Sequence, residues 1–198
     1  MKGILLFLCL SVLTCSHQDS AYIAEIQQHQ NELNEEYLNN DKSPLNEKDR
    51  ITFQGHDFFP IDRTYAVKAK VERTPDSRPF AMAMSNGRQQ LYKRLAILTF
   101  ELNGKSVALE AYTRVQSFGL AMKTTPVLIP IIDNTTGNTT YEGGRYFIFN
   151  SAPEGDEWLI DLNKLTNPYC AYNNEIACPK VPEANHVDLA IEAGIKGS

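Results

Sequence analysis

No run of lysines and arginines occurs anywhere in the 198 residues, and the formal charge is -5. Non-specific nucleic-acid binding works by Lys and Arg displacing counterions from phosphates, so no nucleic-acid partner is expected. No apolar stretch is long enough to cross a bilayer as a helix, which takes about 20 residues. The longest run covers residues 4–13 and is broken at Ser11. There is no His-Glu-x-x-His pair, no glycine-rich phosphate loop and no Ser/His/Asp order. No metal or cofactor is therefore expected. Internal repeats, low-complexity tracts and a second domain are also missing. Cysteine is scarce, with four residues, and each has a distinct reading.

What is present suits one domain with a core: 42% of residues are hydrophobic. Residues 1–14 read as a targeting signal, with Lys2 before the apolar run. Val12-Leu13-Thr14-Cys15 then looks like a lipobox, although Leu13 is one place too near the cysteine and Thr14 replaces Gly or Ala. Lipidation at Cys15 predicts an exported protein anchored to a membrane of the cell envelope, held more firmly than by one acyl chain. An ordinary secretory signal, with Cys15 left as a stray thiol, is the alternative. Cys9 leaves with the signal. Cys170 and Cys178 remain as an even pair in a compartment that can be oxidising.

Residues 15–50 are expected to form a tether and an N-terminal helix, and residues 51–198 a single β-rich domain. Residues 16–20 form the polar tether. Over residues 21–39, Tyr22, Ile26, Leu33 and Tyr37 recur on one helical stripe, with Ile23 and Leu38 beside it. Ser43-Pro44 reads as an N-cap opening a short turn of helix over residues 45–49. From Thr52 the period changes to two. Tyr65, Val67, Ala69 and Val71 alternate with Lys68, Lys70 and Glu72. Asn86-Gly87 marks a turn before a strand over residues 90–93. Asn103-Gly104, between strands over 94–102 and 105–115, predicts a hairpin. Residues 127–132 form a buried strand in which Pro130 implies an edge or bulge. Residues 145–149, 158–161 and 187–192 complete the set. This is a mainly β, α+β chain, predicted as an antiparallel β-sandwich or partly open barrel with one helix.

The distinctive segments are Phe58-Phe59-Pro60-Ile61-Asp62, the run from Asp133 to Tyr141 with Gly143-Gly144-Arg145-Tyr146, and Ile160-Asp161-Leu162-Asn163. After them come Asn167-Pro168-Tyr169-Cys170-Ala171-Tyr172-Asn173 and Cys178-Pro179-Lys180-Val181-Pro182-Glu183-Ala184-Asn185. In order and spacing these resemble domain-of-unknown-function family 1684, an uncharacterised bacterial group, from about Tyr22 to Gly197. Leu162 stands where that family prefers Phe, and Val181 replaces a proline. The resemblance implies a shared fold and a shared site, and no activity.

Cys170 and Cys178 enclose seven residues. A disulfide there would stabilise by roughly 2.6 kcal/mol on the chain-entropy formula, with Pro168 and Pro179 stiffening the loop. Structural thiols, a metal site and a thiol nucleophile paired with His186 are the other readings. The Thr/Asn/Gly-rich connection over residues 133–146 reads either as turns braced by their own side chains or as the wall of a polar pocket. In the structural reading Arg145 pairs with Asp161; in the pocket reading Arg145 clamps an anion or carboxylate, Asp161 and Asn163 orient the ligand, and Tyr141 and Tyr146 form walls. Asp133, Thr140, Asn173 and Asn185 complete the candidate set. The sequons at Asn134 and Asn138 carry little weight. Three functions follow: binding of a polar small molecule, peptide or glycan; hydrolysis of an envelope or dietary polymer, with Asp161 and Asp133 or Glu192 as a carboxylate pair; and a structural lipoprotein. A hydrolase should place two ionisable groups on one cavity, a binder a polar pocket without such a pair, and a structural protein a sealed Arg145–Asp161 pair; the site itself depends on one geometric expectation, that the proline-clamped C-terminal block converges on the threonine-rich connection.

Overall fold

The computed structural model describes residues 8–115 and 126–197, with side chains from Asp19 onward. The start of the expected targeting signal, residues 1–7, lies outside the described residues. Helix α1 (Leu8–Leu38) is continuous through residues 16–20, so the span expected as a tether is helical. No described helix is long and apolar enough to cross a membrane. Ile26 and Tyr37 are buried, Tyr22 and Leu33 half-buried, and Ile23 and Leu38 exposed, which is the predicted stripe. The short helix α2 (Glu47–Thr52) begins later than expected. Asn46 caps it by accepting the Asp49 N–H, while the Ser43 hydroxyl donates to the carbonyl of Tyr37 and accepts the Leu45 N–H.

Among the described residues seven strands follow: β1 (Ala66–Arg73), β2 (Phe80–Ala83), β3 (Gln89–Leu102), β4 (Lys105–Arg114), β5 (Val127–Ile131), β6 (Arg145–Phe149) and β7 (Glu157–Asp161). They form one curled antiparallel sheet in the order β6-β5-β4-β3-β1-β7, with β2 paired to β3. The architecture is a partly open barrel, not two stacked sheets. Its terminal strands β6 and β7 are consecutive in sequence, and Phe149 meets Trp158 across the seam edge-to-face at 5.5 Å between ring centroids. The β3–β4 hairpin turns on Asn103 (φ 52°) and Gly104 (φ 74°), both left-handed as the dipeptide requires.

Alternating residues of β1, β3 and β4 line the interior: Val67, Ala69 and Val71, then Ala96, Leu98, Phe100 and Leu102, then Val107, Leu109 and Ala111. The expected strands over 90–93 and 94–102 are one strand with a bulge between Arg94 and Ala96. A bulge adds one residue and so exchanges faces. Ala96 pairs with Ala111 in the interior, whereas Arg94 pairs with Tyr112 on the outside, and Tyr92 joins Tyr112 there. This bulge creates a second apolar cluster outside the barrel, containing Met82, Tyr92, Tyr112, Leu128, Tyr146 and Cys178.

The last expected strand, residues 187–192, makes no ladder. Val187, Leu189 and Ile191 do point inward as predicted, but as an irregular strap across the barrel with an isolated bridge between Ile132 and His186.

Candidate functional site

The C-terminal strap and the threonine-rich connection meet around Arg145. Its guanidinium is fully buried and pairs with the Asp133 carboxylate at 2.8 Å, not with Asp161. It also donates to the carbonyls of Ile191, Ala193 and Ile195, and lies 3.4 Å from the Thr135 hydroxyl. Three alternate carbonyls can converge on one cation because the strap folds back at Gly194 (φ +75°), where a Cβ would strike the Leu165 carbonyl at 2.7 Å. Burial lowers the guanidinium pKa, and Asp133 opposes that effect.

Asp133 is equally committed. Its carboxylate accepts the backbone N–H and hydroxyl of Thr135 and the N–H of Ile191. The Thr135 and Thr140 hydroxyls lie 3.0 Å apart. The N–H groups of Asn138, Thr139 and Thr140 all turn onto the Thr135 carbonyl. Backbone donors expected to face a ligand therefore close on the connection itself, and Arg145, Asp133 and Thr140 form a sealed lock.

Arg145 and Tyr146 cannot line one pocket. They are neighbours on β6, and successive side chains of a strand face opposite sides. Arg145 faces the interior and Tyr146 the outer cluster, where its hydroxyl donates to the Pro179 carbonyl. Gly144 precedes them with φ +83°, and a Cβ there would lie 2.5 Å from the Ile131 carbonyl.

Asp161 and Asn163 belong to a third place, the seat of α1. Asp161 ends β7 and accepts from the Tyr22 hydroxyl at 3.0 Å. The Asn163 amide donates to the Tyr22 oxygen, the Asp62 carbonyl and Asp161. Lys164 pairs with Glu25 at 2.7 Å and Arg63 with Asp19 at 3.3 Å. Farther along α1, Tyr37 packs edge-on against His56, Tyr169 and Tyr172. Burial in this box lowers the His56 pKa to about 4. The candidate carboxylate pair is thus divided: Asp133 serves Arg145, Asp161 serves Tyr22, and Glu192 is exposed.

Asn173 and Asn185 are braces. Asn173 donates to the Pro44 carbonyl and accepts the Glu175 N–H. Asn185 is fully buried where β4 and β5 separate. Those strands share one paired position, Tyr112 with Leu128. Pro130 has no N–H to give, so β5 is interrupted within the sheet, not at its edge. The Asn185 amide fills the gap: it donates to the carbonyls of Glu110 and Pro130 and accepts the Glu110 N–H.

The outer cluster is where reactive groups gather. The Cys170 N–H donates to Cys178 Sγ at 3.1 Å, and the Cys178 N–H to the Ser85 hydroxyl at 3.1 Å. The neighbouring thiols influence each other's protonation. Cys178 is buried and Cys170 half-buried. Their interaction, with help from Ser85, lowers the Cys170 pKa to about 7, and the same interaction holds the second proton on Cys178. Tyr92, Tyr141 and Tyr146 stand close enough to feel these sulfurs, and burial raises the pKa of each phenol. Among the described residues the Tyr92 and Tyr141 hydroxyls have no hydrogen-bond partner. No group of three or more His, Cys, Asp or Glu suited to a metal occurs among the described residues. Sequence reading missed Tyr92 and Ser85. They reach the cysteines through the β3 bulge and the 84–88 turn, and no local motif signals either.

The sequence profile of the family described as "Protein of unknown function (DUF1684)" matches residues 51–196. The chain belongs to this family. Its match spans the barrel, the threonine-rich connection and the C-terminal strap, and leaves out α1 and Pro44. A solution NMR structure of an uncharacterised protein from Haloarcula marismortui is similar at 28% identity and a TM-score of 0.69, over 91% of this chain and 97% of that one. No curated protein matches.

Proposed function

We propose that the chain is an exported, lipid-anchored barrel that holds a polar small molecule, peptide or glycan on its outer face, over Tyr92, Tyr141 and the cysteine loop. One contrast carries this reading. The Arg145 lock is buried and its Asp133 carboxylate and threonine hydroxyls bond within the chain, with the Arg145 Nε left unpartnered but closed off from solvent, whereas the outer cluster keeps phenol hydroxyls without protein partners beside a half-buried thiol. Aromatic faces with a few convergent polar groups are the common makeup of small-ligand sites. Lipidation at Cys15 supplies the anchor, and a Cys170–Cys178 disulfide is the oxidised form of the loop.

Native mass spectrometry of the membrane-extracted protein tests the reading. Acyl mass on Cys15 and a co-purifying species are expected. Tyr141→Ala should weaken retention of that species by about tenfold, the loss of one aromatic contact. An unacylated Cys15 ends the anchor. Absence of a bound species, with no binding across a panel of soluble glycans and peptides, ends the ligand and favours a structural lipoprotein, the role the sealed Arg145 lock supports.

A further inference from the structure

The cysteine loop is built differently from an inert brace. Its two sulfurs are unequal: Cys178 lies under the outer cluster against Met82, Tyr92 and Tyr146, while Cys170 sits on a single 3-10 turn (Tyr169–Ala171) and is reachable from solvent. The fold also provides for the reduced pair. Cys178 Sγ accepts the Cys170 N–H, the Cys178 N–H has the Ser85 hydroxyl, and the turn carrying Ser85 is fixed by Ser85 N–H to the Cys178 carbonyl and Lys180 N–H to the Ala83 carbonyl. A dithiol that is already hydrogen-bonded raises the reduction potential of its disulfide, because the reduced form is stabilised.

We propose that Cys170 and Cys178 form a thiol–disulfide exchange site that takes a small-molecule disulfide as co-reactant, with Cys170 the sulfur that meets it and Cys178 the sulfur that resolves. The Cys170 thiolate attacks one sulfur of the external disulfide. That S–S bond breaks, and the departing sulfur takes up a proton as the first free thiol. A mixed disulfide stands on Cys170. Cys178 then gives up its proton and attacks Cys170 Sγ, which expels the second free thiol and closes the Cys170–Cys178 bond. Two protein thiols are oxidised and one external disulfide is reduced to two thiols. The lowered Cys170 pKa, about 7, fits the attacking role. Hydrogen bonding is the leading source of its thiolate stabilisation. This inference is independent of the bound ligand, since its readout needs none.

The test is equilibration of the folded protein in glutathione buffers, followed by acid quenching, alkylation and mass spectrometry. Wild type should pass reversibly from dithiol to disulfide as the proportion of oxidised glutathione rises. Cys178→Ala should accumulate a glutathione adduct on Cys170, and Cys170→Ala should form an adduct on Cys178 at least tenfold more slowly. Ser85→Ala should slow adduct formation on Cys170 several-fold. Circular dichroism checks that each variant folds, and the wild-type titration stands if one does not. A disulfide that glutathione reduces only in denaturant, a dithiol that never reacts in the folded protein, or faster capture at Cys178 would each overturn the proposal.

Discussion

Arg145 shows how one side chain can decide a molecule's end. Its guanidinium joins a connection 12 residues upstream, Asp133, to three carbonyls some 50 residues downstream. Removing one member of a buried pair leaves an uncompensated charge and costs about 3–5 kcal/mol. Arg145→Met should therefore lower the urea midpoint sharply and free the strap over residues 187–197 to fast hydrogen exchange. Asn185 makes a similar case without charge. Asn185→Ala leaves backbone groups of Glu110 and Pro130 without partners, and each buried orphan costs roughly 1–3 kcal/mol. Equilibrium unfolding should register that loss, with exchange rising first at Glu110. Both residues were legible as candidates from their polar setting in the sequence. Which groups each one answers was not, because the partners lie 12 to 75 positions away.

Among the elements, α1 shows most clearly how local pattern and distant contact divide the work. Its apolar stripe was readable from spacing alone. The polar seat was not: Tyr22 reads as one more stripe residue, yet its hydroxyl bridges Asp161 and Asn163 at 3.0 and 2.9 Å. Tyr22→Phe keeps the ring and removes the donor. It should destabilise by about 1–3 kcal/mol and speed proteolysis within α1, while the barrel itself stays protected. The box around His56 couples the same helix to pH. An unfolded imidazole titrates near 6.5 and the folded one near 4, so between those values only the unfolded chain gains the proton. Stability is complete above about pH 6.5 and falls as the pH drops towards 4. His29, whose pKa is lowered by burial and Lys164, adds to the fall. His56→Phe should flatten part of the decline when urea midpoints are compared at pH 7, 5.5 and 4; an unchanged slope would remove His56 as a cause.

For the molecule as a whole, the bulge in β3 and the placement of α1 set what faces where. The bulge puts Tyr92 outside and Ala96 inside within four residues, and the alternation of Arg145 and Tyr146 along β6 puts the sealed lock and the cysteine loop on opposite faces of the sheet. Cleavage before Cys15 would leave Ser16, His17 and Gln18 between the anchor and Asp19, whose carboxylate already pairs with Arg63. The barrel would then ride close to the lipid surface on a helix, without a slack tether. Cys15→Ser should move the protein from the membrane to the soluble fraction on cell fractionation, and retention on the membrane would refute the lipid anchor.

The amino-acid order alone determined the helix stripe, the Asn103-Gly104 hairpin, the inward alternation of β1 and the mainly β class. Each depends on periods of two or 3.6, or on backbone angles that a dipeptide fixes by itself. Tertiary structure alone decided that Arg145 answers to Asp133, that Asn185 stands in for a missing strand pairing, and that Tyr146 joins the cysteines instead of Arg145. The last of these was half readable, because neighbours on a strand point apart. The others depend on chain segments meeting across the barrel, where a hydrogen bond is set by distance in space and leaves no local spacing to read.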